Sequence, residues 1–242
     1  MRVVIPSKDR VEDCRTALTL FPEALVVVVV REDQREMYAG LGAQLLTHPM
    51  SVSGIGPLKN WIMDHVPDET MVMVDDDVYD LRCPIGHPTK SHCIRDPQAI
   101  HQILENAETI ARGMGAPVFG FDQTGGDVRK FRPQDPLGFS GWVGAVVGVI
   151  GREIRYDPNL LIRADIDYCL QAQLKRRVIF CDRRFGFIHR PRFTHRGGNA
   201  LQRSSQRNQL EIDYLQRKWG QWLTVKPAAT TIRLVVNVDR RS

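Results

Sequence analysis

An α/β sandwich with a mostly parallel central sheet is the fold class that this sequence predicts, on three observations. Short apolar runs alternate with helix-like segments through the first half of the 242 residues, as parallel strand–helix units do. The run Leu25-Val26-Val27-Val28-Val29-Val30 is continuous and largely β-branched, which marks a strand buried on both faces. The segments richest in reactive side chains follow the strands, and α/β sheets bind ligands at the carboxyl ends of their strands.

Taken in order, residues 2–6 read as a strand that ends in the polar turn Ser7-Lys8-Asp9-Arg10. A helix over 11–20 leads to the valine strand, 24–30. Residues 31–41 suit another helix, with Gly42 as its stop. A third strand at 44–47 precedes a Ser/Gly loop, 51–56, and a helix over 57–65 with Pro57 in its first turn. The strand 70–74 runs into Asp75-Asp76-Asp77. A long amphipathic helix follows at 96–114, then a strand and Gly-rich loop over 118–132 and a small, apolar, Gly-rich stretch over 139–150. Residues 158–161 form a turn, 165–175 a helix and 178–181 a strand. A basic loop over 189–198, a polar helix over 200–219 and a short strand over 231–238 close the chain, the last read as an accessory arm or edge strand.

Composition narrows the class. With 43% hydrophobic and 25% charged residues the chain can bury a core and is not disordered. No apolar run approaches the roughly 20 residues of a membrane helix. The stretch Val3-Val4-Ile5-Pro6 after Met1-Arg2 is too short for a signal peptide, so a cytoplasmic protein is expected. Cysteines at 14, 83, 93, 169 and 181 form no Cys-x-x-Cys pair, which argues against a disulfide framework or structural zinc. The net charge of +5 is concentrated in arginines of the second half, among them Arg176, Arg177, Arg183, Arg184, Arg190, Arg192, Arg196, Arg203 and Arg207. Such a surface favours polyanions, although ordinary surface charge would look the same.

Asp75-Asp76-Asp77 is the sharpest chemical feature. Adjacent carboxylates repel, and a hard divalent cation resolves the repulsion. If the chain stays extended, Asp75 and Asp77 point to one side and can act together. Asp165 and Asp167 open a helix, where either could be a general base or simply favour the helix N-terminus. Before them, Gly138-Phe139-Ser140-Gly141-Trp142-Val143-Gly144 would let a backbone approach a ligand closely, with Trp142 able to stack on it or to pack as core.

These pieces resemble the GT-A glycosyltransferases, a nucleotide-binding αβα layer with an Asp-x-Asp metal motif. The matching elements are Ile5-Pro6-Ser7-Lys8-Asp9-Arg10, Gly54-Ile55-Gly56-Pro57-Leu58-Lys59-Asn60 and Val72-Met73-Val74-Asp75-Asp76-Asp77. The resemblance implies a GT-A-like sandwich with a C-terminal basic arm, and a single domain over 1–242. Residues 1–80 would be its nucleotide-binding half, 81–198 its acceptor half, and 199–242 a terminal helix and edge strand. It implies Mn²⁺ or Mg²⁺ on Asp75 and Asp77, completed by His189 or His195. Pro6, Ser7, Asp9, Arg10, Lys59, Asn60, Asp75, Asp76, Gly141, Trp142 and Arg203 would hold a nucleotide-sugar such as a UDP-sugar. Asp165 or Asp167 would be the base, although the family's usual form is Glu-Asp. More narrowly, the start of the chain, Lys59-Asn60-Trp61, the Asp triplet, Asp165-x-Asp167 and Gly197-Gly198 with Arg203 resemble the phage-type TET-associated glycosyltransferases. That likeness implies sugar transfer to 5-hydroxymethylpyrimidine in DNA, in the host cytoplasm if the chain is phage-encoded.

Three other readings compete. A GT-A enzyme with a protein, glycan or small-molecule acceptor shares every donor-side motif. A nucleotidyltransferase would also use carboxylate-bound metal, but the first turn here is not a Gly-rich phosphate loop. A non-catalytic nucleic-acid-binding module explains the arginines but not three carboxylates at a strand end.

Overall fold

The structure, a computed structural model, describes residues 1–190, 204–227 and 232–238. The valine run forms a strand with no polar face, and the sheet is built around it. β1 (Arg2–Pro6), β2 (Val26–Arg31), β3 (Gln44–His48) and β4 (Thr70–Val74) lie parallel in the order β3-β2-β1-β4. The sheet continues through β9 (Val146–Ile150), β7 (Val118–Phe121), β10 (Phe180–Asp182) and the short β8 (Leu137–Gly138). β9 runs antiparallel to both β4 and β7, so its first residues lie beside the end of β4.

Strand alternation divides the core in two. Val3, Ile5, Val26, Val28 and Val30 face one side, where α1 (Val11–Leu18) and α4 (Pro97–Gly113) pack. Val4, Val27, Val29, Met71 and Met73 face the other, against α3 (Ile55–His65), α5 (Ala164–Arg176) and α6 (Ser205–Trp219). α4 starts where its sequence dictates: Asp96 accepts from the Gln98 amide at 3.0 Å, and Pro97 occupies the first turn.

Three expectations change. The helix expected over 31–41 is a pair of 3-10 turns flanking the single turn α2 (Arg35–Tyr38), closed by Gly42 at φ 78°. A second sheet, order β11-β5-β6, joins β5 (Val78–Cys83), β6 (His92–Ile94) and β11 (Gly186–His189). The last strand is not an edge of the main sheet. β13 (Ile232–Val236) pairs antiparallel with β12 (Leu223–Pro227) along all five residues, forming a ribbon of its own. The five cysteines are free, with Cys14, Cys169 and Cys181 buried. Among the described residues no helix is long and apolar enough to cross a membrane.

α6 docks through polar contacts. Asp157 accepts from Lys218 Nζ at 2.6 Å, from the Tyr214 hydroxyl at 2.7 Å and from the Asn159 amide at 2.9 Å. Burial alone would raise this carboxyl; Lys218, Tyr214 and the Asn159 amide bring it down to about 2. A carboxyl depressed in the fold adds stability above its unfolded value of 3.8, lost as pH falls through about 2. Between pH 4 and 2 the wild-type chain should therefore lose roughly 2 kcal/mol more stability than Asp157→Asn. Urea denaturation at each pH measures this, and equal losses in both proteins would contradict it.

Candidate active site

The chain passes from β1 to β2 and β3 on one side, then returns to β4 on the other. That reversal opens a crevice at the carboxyl ends of β1 and β4. There the turn after β1 meets the turn after β4 in a directed hydrogen-bond chain. The Arg10 amide donates to Tyr38 OH at 3.0 Å, Tyr38 OH lies 2.8 Å from Ser7 Oγ, and Ser7 Oγ donates to Asp76 at 2.7 Å. Arg10 Nη1 also donates to Asp76 at 3.0 Å and to Asp77 at 3.4 Å. Asp76 is buried, and burial pushes its carboxyl up to about 6, with Ser7 and Arg10 holding it down and Asp77 adding to the rise. Ser7 and Asp76, expected to touch the donor, instead spend their oxygens on joining the two strand ends. Asp9, at φ 57°, is held by Gln34, whose side-chain oxygen accepts from the Asp9 amide at 3.2 Å. Pro6 is the last residue of β1.

The strand-alternation argument for Asp75 and Asp77 does not hold. β4 ends at Val74 and the triplet turns, with the Val78 amide donating to Asp75 O at 3.2 Å. Asp77 therefore shares Arg10 with Asp76, whereas Asp75 lies on the side of Lys59. The Asp75 amide donates to Ala145 O at 2.7 Å, which fixes the triplet to the start of β9. Among the described residues no three His, Cys, Asp or Glu side chains converge as a metal cage.

Lys59 links α3 to α5. It is 3% exposed, and its Nζ donates to Asp165 Oδ1 at 2.6 Å and lies 4.8 Å from the centre of the Tyr156 ring. Burial would lower the Lys59 ammonium, but Asp165 and then Asp75 more than offset it and hold it above its ordinary value. The Asp165 side chain keeps 23% of its surface exposed. Trp142, the Gln123 amide and Asp165 border Gly144, where an added Cβ would lie 3.1 Å from the Trp142 ring and 3.4 Å from each of the other two. Trp142 itself is partly buried against the core. Gly141, at φ 98°, is held through its N–H and C=O by Gln173 at 3.0 and 2.7 Å.

Two expected site residues face elsewhere. Asp167 is fully buried and accepts from Trp219 Nε1 at 2.8 Å, Lys218 Nζ at 2.7 Å and Gln171 Nε2 at 2.7 Å. Its oxygens are committed and it has no exposed surface, whereas Asp165 keeps part of its side chain open to the crevice. The Asn60 amide holds the backbone of Tyr156 in both directions, at 2.9 and 2.8 Å, so it supports the loop after β9. His189 pairs with Val78 next to the triplet, and the Arg190 amide donates to Asp77 O at 3.1 Å. His189 Nδ1 lies 2.9 Å from Arg190 O, and because a carbonyl oxygen only accepts, Nδ1 is the donor. His195, Arg203 and the Gly197-Gly198 turn lie outside the described residues.

Sequence reasoning missed Tyr38, which carries the middle of the Ser7–Arg10 chain, and Tyr156. The Tyr156 ring stacks on Tyr168 with centroids 4.0 Å apart, and its buried hydroxyl finds no hydrogen-bond partner among the described residues. Neither sits in a motif, and only the fold brings them to the site.

The architecture defines a class: the chain has the GT-A glycosyltransferase fold. It belongs to the TET-associated glycosyltransferase family, whose model matches residues 1–198. Among solved structures it resembles glucosyl-3-phosphoglycerate synthase from Mycobacterium tuberculosis, crystallised with Mn²⁺, UDP and glucosyl-3-phosphoglycerate. That likeness has 13% identity and a TM-score of 0.57, over 96% of this chain and 85% of that one. It is also similar to S. aureus TarS 1-349 in complex with UDP-GlcNAc, at 16% identity and TM-score 0.50 over 84% of this chain. The chain spans less than two thirds of the TarS chains, 61% in that case and 58% in another. No curated protein matches it by sequence.

Gly56 lets α3 approach the loop after β9. An added Cβ would lie 2.6 Å from the Asp157 carbonyl oxygen, a backbone atom that cannot swing away. Gly56→Ala should therefore cost about 1–3 kcal/mol of stability and shift Lys59 away from Asp165. Denaturant titration checks this, and an unchanged midpoint would count against the close packing.

Proposed function

We propose that this chain transfers a sugar from a UDP-sugar to the hydroxyl of 5-hydroxymethylpyrimidine in DNA, with Asp165 as the base if the reaction inverts. The observation that carries the reading is Asp165: a part-exposed carboxylate at the crevice, held by buried Lys59 and facing the small-residue stretch at Gly144. Family membership supports sugar transfer, and the acceptor is the one that the sequence resemblance implies. A base within duplex DNA has to be made accessible, by flipping or local opening, before its hydroxyl reaches such a crevice. DNA as acceptor puts the reaction in the cytoplasm, the host's if the chain is phage-encoded.

The donor set suits Mn²⁺ or Mg²⁺. Hard ions of this kind are often held by one or two carboxylates together with substrate phosphates, without an all-protein cage. Asp75 and Asp77 would hold the ion from either side of Asp76, with His189 Nε2 or His195 as a further ligand, and it would neutralise the leaving diphosphate. Arg10 fixes Asp77 on one side, and Lys59 orients Asp165.

One observation favours a second reading, a GT-A enzyme with a different acceptor. Among the described residues many arginines are engaged by neighbouring carboxylates, such as Arg129 with Asp127, Arg176 with Glu153 and Arg184 with Asp182.

The test is transfer to duplex DNA containing 5-hydroxymethylcytosine or 5-hydroxymethyluracil, with a panel of UDP-sugars and Mn²⁺ or Mg²⁺. Mass spectrometry of the nucleosides should show a sugar-sized gain that chelation and Asp77→Ala abolish. Asp165→Asn should retain donor binding and lose about 10²–10⁴ in kcat. Metal-dependent UDP-sugar hydrolysis without transfer to either DNA would support the second reading. Absence of both transfer and UDP-sugar binding would overturn the first.

A further inference from the structure

Two parts of α6 hold the short stretch that carries Asp165, one through its backbone and one through a side chain. In the first half of α6, Glu211 is 2% exposed and accepts three consecutive amides at the entrance to α5: Leu161 at 2.9 Å, Ile162 at 3.0 Å and Arg163 at 3.0 Å. Arg163 is the N-cap of α5, and its own side chain makes no cap hydrogen bond. Buried backbone amides need acceptors, and here a carboxylate from another helix supplies them for the N-cap residue and the two before it. Arg207, one turn earlier on α6, donates to Glu211 at 3.0 Å and to Asn159 O at 2.8 Å, which fixes the carboxylate's direction. At the other end, Trp219 and Lys218 hold Asp167. Asp165 lies between the two grips. The family match ends at residue 198, so both grips come from chain beyond it.

We propose that α6 completes the active site, with Glu211 as a positioning residue that sets where Asp165 meets the acceptor hydroxyl. This rests on the reading of Asp165 as the group that acts on the acceptor. Glu211→Gln removes one of the two acceptor oxygens and turns an NH₂ group toward backbone donors. The first turn of α5 then shifts, and a misplacement of about 1 Å at a reacting group can cost up to about 10²-fold in rate. Glu211→Asp keeps the negative charge but shortens the reach.

The experiment measures steady-state transfer by the full-length chain with its UDP-sugar, metal and hydroxymethylated DNA, and reads kcat and donor KM separately. Glu211→Gln should lower kcat about 10- to 100-fold with donor KM within about twofold of wild type, because Lys59 and the acidic turn are untouched. Glu211→Asp should fall between the two. In an Asp165→Asn background Glu211→Gln should cost little more, since groups that act as a unit are not additive. A loss of the same factor in both backgrounds would mean that Glu211 only keeps the protein folded, and would overturn the inference. So would wild-type kcat in Glu211→Gln. If that variant does not fold, Glu211→Asp decides by the same kcat and KM split. Full activity in Asp165→Asn would overturn the role of Asp165 itself and this inference with it, whereas loss in Asp165→Asn alone would overturn only the part given to Glu211.

Discussion

The buried ammonium of Lys59 is the constraint on which the site depends. Taking such a charge out of water costs several kcal/mol unless it is paired with good geometry. Its partner Asp165 lies 106 residues further along, in the second half of the chain. The first half therefore cannot bury Lys59 until α5 has docked. The same seam is joined by backbone contacts from Asn60 to Tyr156 and by the Arg155–Asp64 ion pair at 2.6 Å. α3 and the loop after β9 thus act as one unit, and the candidate base is located by the residue that neutralises it.

Environment separates the roles of three adjacent carboxylates. Asp76 is enclosed by Ser7 and Arg10, and serves as the joint between β1 and β4. Asp75 and Asp77, both less buried, flank that joint on different sides. Their repulsion is relieved without any ion, on one side by Arg10 and on the other by the field of Lys59. A cation entering with a diphosphate would add to a site whose shape is already fixed, which favours preorganisation over a preformed cage.

The parallel sheet, the acidic strand end and the helix carrying Asp165 were legible in the sequence because each has a local signature. These are a β-branched run, a carboxylate cluster and helical periodicity after a turn. Which carboxylates face the crevice was not legible. The period-2 rule holds only while the chain stays extended, and β4 stops at Val74. Asp165 and Asp167 look alike in sequence, yet Trp219 and Lys218 bury the latter from more than 50 residues away. Ser7 and Asn60 resembled ligand residues because hydroxyls and amides suit ligands and backbone seams equally well. The second sheet was missed for a related reason: β6 and β11 are three and four residues long, too short to show a period.

Net charge was the least informative signal. Many of the arginines are locally balanced: Arg112, Arg129, Arg155, Arg176, Arg183 and Arg184 each face a carboxylate. A phosphate that displaces such a carboxylate exchanges one anion for another, with little of the counterion release that drives polyanion binding. One long stretch has no acidic neighbour within it, although Arg183, Arg184, Arg190 and Arg207 there pair with carboxylates from elsewhere in the fold. Residues 183–210 carry seven arginines and no Asp or Glu. That stretch passes through His189, which β5 holds beside the acidic turn. A polyanionic acceptor would meet that run of arginines next to the acidic turn, and would compete there with the carboxylates that already hold four of them.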